Sequence, residues 1–145
     1  GERFRLLRGI EGLSLSGIDA AVVPSTPRAF LGEQVNGARW LFDPGLMDVP
    51  PQLAFLWARV HRDMGALPSR FGRVARYGST LVTGPLSLRM RFKPAAHEQA
   101  LIYDAQFIDA SGHVRIAIFD GESTMSPALN RLAPNHSEFI AGLRA

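Results

Sequence analysis

Two polar side chains at helical spacing are the first candidates for chemistry. Asp48 and Gln52 lie four residues apart in the stretch Phe42-Asp43-Pro44-Gly45-Leu46-Met47-Asp48-Val49-Pro50-Pro51-Gln52. On a helix they share one face, one turn apart. The Gln52 amide can then donate to the Asp48 carboxyl and fix its rotamer. Read on the residues alone, Asp48 is a helix cap: Asp is a favoured N-cap, and the free N–H groups of a first turn stabilise its anion. Gln52, read the same way, is an ordinary surface amide. The other titratable candidates are His61, His97, His113 and His136. No grouping of His and carboxylates on one element has metal-ligand spacing, so no metal is expected. The chain has no Gly-rich phosphate loop and no Gly-x-Ser-x-Gly nucleophile elbow.

The elements that must position the pair follow from periodicity. A helix is expected from about Val49 to Met64, opened by Asp48 and stopped by Gly65. Pro50 and Pro51 would then sit in its first turn, where a missing N–H costs nothing. Leu53, Leu56, Trp57, Val60 and Met64 form one apolar stripe along it. A helix this apolar needs wrapping, and the rest of the chain reads mostly as strands. Arg3 to Gly12 and Ile18 to Val23 are expected as strands before it. Ser25 to Arg39 has no period and reads as a long loop. After Pro68 the period changes to two. Arg70 to Tyr77 is one strand. Leu86, Leu88, Met90 and Phe92 alternate with Ser87, Arg89, Arg91 and Lys93, a strand with one face buried. Leu101 to Ile108 turns through Asp109-Ala110-Ser111-Gly112 into His113 to Met125, with Gly121 marking a bulge. The whole reads as an α+β fold, a curled antiparallel sheet around one central helix. Residues 1–145 form one domain, with 126–145 as a C-terminal tail and a short helix at Ser137 to Leu143.

Composition bounds the partners. The 145 residues are 46% hydrophobic with nine Phe, enough for a sizeable core. No apolar run approaches the ~20 residues that span a bilayer, and no membrane association is expected. There is no Cys, which excludes disulfides and fits a cytoplasmic setting. The net charge is +3, from sixteen basic and thirteen acidic residues. The basic residues are nearly all Arg, which reads first as a compositional bias and second as a surface for an acidic partner. The arginines are dispersed and no nucleic-acid motif accompanies them, so no nucleic acid is expected. The chain begins with Gly, and we read it as a piece of a longer polypeptide or as carrying a tag remnant.

The run Asp43-Pro44-Gly45-Leu46-Met47-Asp48 followed by Gln52 resembles a known motif. It is similar to the segment opening the central helix in the second half of polyketide synthase dehydratase domains, and of the related polyunsaturated fatty acid synthase dehydratases. Met47 stands where the family has Leu, and the two prolines are unusual. Gly1-Glu2-Arg3-Phe4-Arg5 is similar to the family's junction between halves, with Glu2 in place of Pro. The resemblance implies a double-hotdog domain of which this chain is the C-terminal half. It implies that Asp48 is the general acid, protonating the leaving β-hydroxyl of a 3-hydroxyacyl thioester. Gln52 would support it and help hold the departing water. Such an acid must keep its proton near neutral pH, which needs an apolar pocket, whereas a helix start favours the anion.

The same resemblance implies a catalytic His in a preceding hotdog half. His61 partly imitates that family motif, through His61 to Pro68, but stands ~14 Å beyond Gln52 along the helix, too far to act with Asp48. The expected reaction is syn elimination of water to a trans-2-enoyl thioester on an acyl carrier protein. No cofactor is needed beyond the carrier's phosphopantetheine arm. Trp40, Phe42 and Pro44 are the candidates to bind the acyl chain, with Phe55 and Trp57 beside them, although aromatics next to a core helix are usually core. Arg39 and Arg59 could meet the carrier's phosphate, with plain surface arginine as the simpler reading. Tyr77 and Tyr103 have no assigned role. A hotdog thioesterase and a non-catalytic dimerisation or acyl-binding half are the alternatives. Isolated from its other half, the chain is expected to be inactive and to form a homodimer that mimics the double hotdog.

Overall fold

The computed structural model describes residues 5–32, 40–78 and 82–132. Strands β1 (Leu7–Leu13) and β2 (Gly17–Val22) come first. A short helix α1 (Pro27–Leu31) and a long helix α2 (Pro44–Arg62) follow. Then come β3 (Gly65–Arg76), β4 (Leu86–Lys93), β5 (Ala100–Ile108) and β6 (Val114–Ser126), closed by a 3-10 turn at Pro127–Leu132. The six strands make one sheet in the order β1-β2-β4-β5-β6-β3, antiparallel throughout. This is the hotdog arrangement expected above: one long helix against a curled antiparallel sheet.

Alternation decides which face meets the helix. Leu86, Leu88 and Met90 of β4 are buried while Ser87, Arg89 and Arg91 are exposed. The inner row continues through Ile18, Ala20 and Val22 of β2 and Leu101, Tyr103, Ala105 and Phe107 of β5. Helix α2 supplies Leu46, Val49, Leu53, Ala54, Leu56 and Trp57 to the same core. Burying each large side chain contributes about 1.5–3 kcal/mol. Val60 and Met64, expected in the apolar stripe, are only half-buried but pack on this core. Trp57 is core, with its indole N–H donating to the Ser14 carbonyl at 2.9 Å and its ring against Phe92.

The helix starts earlier than expected. Asp43, not Asp48, is the N-cap: its carboxylate accepts from the Gly45 and Leu46 N–H groups at 2.8 and 3.2 Å. Pro44 takes the first helical position, the one that suits proline. Pro50 and Pro51 therefore lie inside the helix rather than in its first turn. They remove the N–H donors that the Leu46 and Met47 carbonyls would otherwise meet, a change of ~3 kcal/mol in an ordinary helix interior. Burial of both rings in the core offsets that loss.

The helix end also moves. Asp63, in the left-handed region at φ 49°, caps it instead of Gly65. Asp tolerates that conformation, and its carboxylate holds the Arg59 guanidinium at 2.9 Å. Gly65 opens β3 instead, and a Cβ there would meet Leu129 at 2.6 Å. β3 thus begins five residues before the expected Arg70 and runs through Pro68. An edge strand pairs on one side only and accepts proline, with a register shift between Pro68 and Arg70.

Ser25 to Arg39 is not wholly irregular. Thr26 caps α1, its hydroxyl accepting from Ala29 N–H at 3.4 Å, and Pro27 follows at the first helical position. Residues 33–39, the first four residues, 79–81 and the expected helix at 137–143 lie outside the described residues.

The Asp109 hairpin forms as read. Its carboxylate accepts from the His113 and Ser111 N–H groups at 3.0 and 2.9 Å, with the Arg115 guanidinium at 3.2 Å. The His113 N–H foremost, then Arg115 and the Ser111 N–H, hold that carboxyl below the usual carboxylate range. The expected bulge falls at Phe119 and Asp120, two residues facing one on β5, with Asp120 at φ 52°. Gly121 is its neighbour. Lys93 braces the bulge through Asp104 and Asp120 at 2.7 and 2.8 Å, and those two carboxylates raise its pKa.

Candidate active site

Asp48 lies five residues beyond the cap, in the second turn of α2. It is half-buried, and Gln52 Nε2 donates to its Oδ2 at 2.7 Å. With Asp43 already capping the helix, the capping reading of Asp48 falls away. The helix dipole acts within the first turn. Asp48 lies beyond that turn.

The buried positions of α2 face the sheet of the same chain. Pro44, Asp48, Gln52 and Phe55 recur at i, i+4, i+8 and i+11 and are all half-buried. They form a stripe that the sheet of this chain leaves partly uncovered. The arrangement can hold a carboxyl in a fixed rotamer, amide-bonded, on a face flanked by a proline and a phenylalanine. A positioned proton donor needs a carboxyl held in this way.

Histidines do not join it. His61 is thirteen residues past Asp48, ~20 Å along the helix axis and on another face. Its ring packs on Trp57 at 5.1 Å, and its Nε2 is buried with no hydrogen-bond partner. His97 and His113 are exposed in the turns before and after β5, and His136 lies outside the described residues. Among the described residues no group of three or more His, Asp or Glu could hold a metal ion. No described helix is long and apolar enough to cross a membrane.

The expected acyl-binding residues separate. Trp40 lines a cavity of about 350 Å³ with Asp43 and Leu46. Phe42 packs against the core, and Pro44 belongs to the Asp48 stripe. Neither Phe42 nor Pro44 lines that cavity. Arg59 is 1% exposed and pairs with Asp63 near the helix end, so it is neither a surface residue nor near the helix start. Arg39 lies outside the described residues. Sequence reasoning missed Asp43 and Ser25, whose N–H and hydroxyl both donate to the Asp43 carboxylate. The signal was present in Asp43-Pro44, a cap followed by a first-turn proline.

Residues 1–133 match a family model described as the polyketide synthase dehydratase N-terminal domain. No curated protein matches the sequence. Among solved structures, a variant of the GphF dehydratase is similar at TM-score 0.64 and 19% identity, covering 87% of this chain and 44% of that one. An inactive His-to-Phe variant of the CurJ dehydratase is similar at TM-score 0.64 and 16% identity, covering 92% and 45%. A putative thioesterase from Lactococcus lactis is similar at TM-score 0.61 and 8% identity, covering 84% and 93%. The chain spans less than half the length of those dehydratases. At these identities the likeness speaks for the fold alone.

Proposed function

The chain belongs to the polyketide synthase dehydratase family, and from that premise we propose that it is the acid-bearing half of a double-hotdog dehydratase. The reaction is syn elimination of water from a 3-hydroxyacyl thioester carried on an acyl carrier protein. A base removes the α-proton, and that electron pair forms the new double bond. The β-carbon–oxygen bond breaks, and the Asp48 carboxyl gives its proton to the departing hydroxyl. Products are water and a trans-2-enoyl thioester. Gln52 holds the Asp48 rotamer and stands beside the leaving oxygen. The base is a His of the other hotdog half, and the carrier's phosphopantetheine arm delivers the substrate without further cofactor.

One observation carries this reading: Asp48 and Gln52, with amide and carboxylate 2.7 Å apart, on a helix face that the sheet of this chain leaves partly uncovered. The span of the matches supports a half domain. The inactive CurJ variant, with a His replaced, agrees with a histidine base in dehydratases of this shape. The name of the matching family model points to an N-terminal half, against the C-terminal half implied by the Asp-x-x-x-Gln motif. We assign the C-terminal place on Asp48 and Gln52, and the position of the coding segment in its parent gene decides it.

The test is an assay on the double domain with a 3-hydroxyacyl-carrier-protein substrate. We expect loss of one water by mass, and no turnover from the 145-residue chain alone. The thioesterase reading has its own support, since the Lactococcus protein is a single unit of nearly this size. Release of free acid from a thioester by this chain alone would favour that reading and remove ours.

The half-domain reading also predicts self-association. Alone, the chain should form a homodimer in which a second copy covers α2 and sheet edges meet across a two-fold axis. Light scattering should give about twice the 15.9 kDa chain mass. A stable monomer at high concentration would count against this.

A further inference from the structure

Every residue between Asp48 and Gln52 is conformationally stiff. Val49 is β-branched, and Pro50 and Pro51 each fix φ at about −65°. An ordinary helix sets its pitch across such a turn by bonds from the N–H groups of residues 50, 51 and 52 to the carbonyls of Leu46, Met47 and Asp48. The first two of these cannot form here, because a proline has no N–H to give. Yet α2 runs unbroken from Pro44 to Arg62, with both rings buried.

Local preference opposes this arrangement a second time. A proline pushes the residue before it out of the helical region, and Val49 and Pro50 both precede one. Backbone held against such preferences persists where the surrounding structure fixes it, and it gathers at functional sites. The interior prolines of α2 fall nowhere but between the acid and its amide. The two rings have different neighbours. Pro51 stands three residues from Asp48, the spacing of neighbours on a helix surface, and is next to Gln52 in the chain. Pro50 stands two residues from Asp48, a spacing that faces away, and shares its side with Leu46 and Leu53, both fully buried.

We propose that Pro51 is a positioning residue for the reaction, an inference that rests on the dehydratase reading. With no N–H at residue 51, its locked φ and its buried ring, rather than a bond to the Met47 carbonyl, set where Gln52 leaves the turn. The Gln52 amide is thereby held 2.7 Å from Asp48 Oδ2, and the acid meets its substrate in one rotamer. An N–H restored at residue 51 closes the missing bond, tightens the turn and moves the Gln52 backbone relative to Asp48. The amide then no longer fixes the carboxyl.

The test is made in the double domain. Pro51→Val restores the N–H and keeps an apolar side chain of similar bulk in the core; Pro51→Ala restores the N–H without the bulk. In both, kcat should fall about fivefold to tenfold and no further than in Gln52→Ala, with KM changed less than about twofold. In a Gln52→Ala background the same two substitutions should change kcat less than about twofold, because the amide through which Pro51 acts is gone. Pro50→Val, on the core side, should leave kcat within about twofold of the parent. Full turnover in Pro51→Val, a loss confined to Pro51→Ala, an equal loss with and without the Gln52 amide, or an equal loss in Pro50→Val would each overturn the proposal. So would an unfolded Pro51→Val by circular dichroism, which would make the ring a structural one. Asp48→Asn, run beside them, separates the two readings. If it abolishes turnover while Pro51→Val leaves it unchanged, the acid role stands and this inference alone falls; if Asp48→Asn turns over normally, both fall.

Discussion

Asp48→Asn should remove dehydration from the double domain while leaving its fold intact. The substitution keeps the shape of the side chain and a hydrogen-bonding oxygen for the Gln52 amide, now held at 2.7 Å from the carboxylate. In the role proposed for Asp48, what it removes is the proton that leaves with the hydroxyl. A positioned general acid is worth about 10²–10⁴ in rate, and we expect a loss of that size in kcat with little change in KM. Thermal unfolding should barely move, because the side chain is half-buried and caps nothing. That last point depends on Asp43 being the cap. Were Asp48 the cap instead, its replacement would act through stability. Gln52→Ala should give a smaller fall in kcat, since the amide positions the acid and carries no proton to the product. Unchanged turnover in Asp48→Asn would end the role assigned to it.

The contrast between Asp43 and Asp48 shows where the sequence was legible and where it was not. Both are Asp residues before an apolar stripe, and both satisfy the cap signal. Pro50 and Pro51 tipped the reading toward the later one, because prolines belong in first turns. In the fold they are interior, buried in the core, so tertiary packing overrode the local rule. The strands were legible for the opposite reason. In β4 each inward Leu or Met is separated by an outward Ser or Arg, and a one-residue slip would bury the arginines. The Asp109 turn was legible because its bonds are local. The Asp48–Gln52 contact was legible too, as an i, i+4 pair on one helix. The cavity was not: its walls come from the end of β2, the start of α2 and the approach to β4, which no local pattern joins. Arg59 was misread for a related reason, since nothing in its neighbours says that the fold covers it.

Gly121→Ala should be among the most destabilising single-methyl additions in the chain. Gly121 follows the Asp120 bulge and lies under the ring of Tyr103, which is fully buried. A Cβ at this position would run into Tyr103 Cε2 and stand 2.7 Å from its Cζ. The ring has no room to yield, being a core residue of β5 between its strand neighbours. Its hydroxyl is buried, and that burial, more than offsetting the neighbouring Ser123 hydroxyl, pushes the phenol pKa well up. Gly121 shows no positive φ, so backbone strain does not enter and the effect is one of overpacking. Overpacking of this kind costs about 1–3 kcal/mol. For a domain of this size that is a fall of roughly 2–12 °C in Tm, at about 2–4 °C per kcal/mol. A double-mutant cycle isolates the cause. In a Tyr103→Leu background the ring is gone, and the added methyl should cost less than about 0.5 kcal/mol, within the usual additivity error. If Gly121→Ala costs the same in both backgrounds, the glycine is not there to admit the tyrosine, and the packing of β5 on β6 at the bulge has been misjudged.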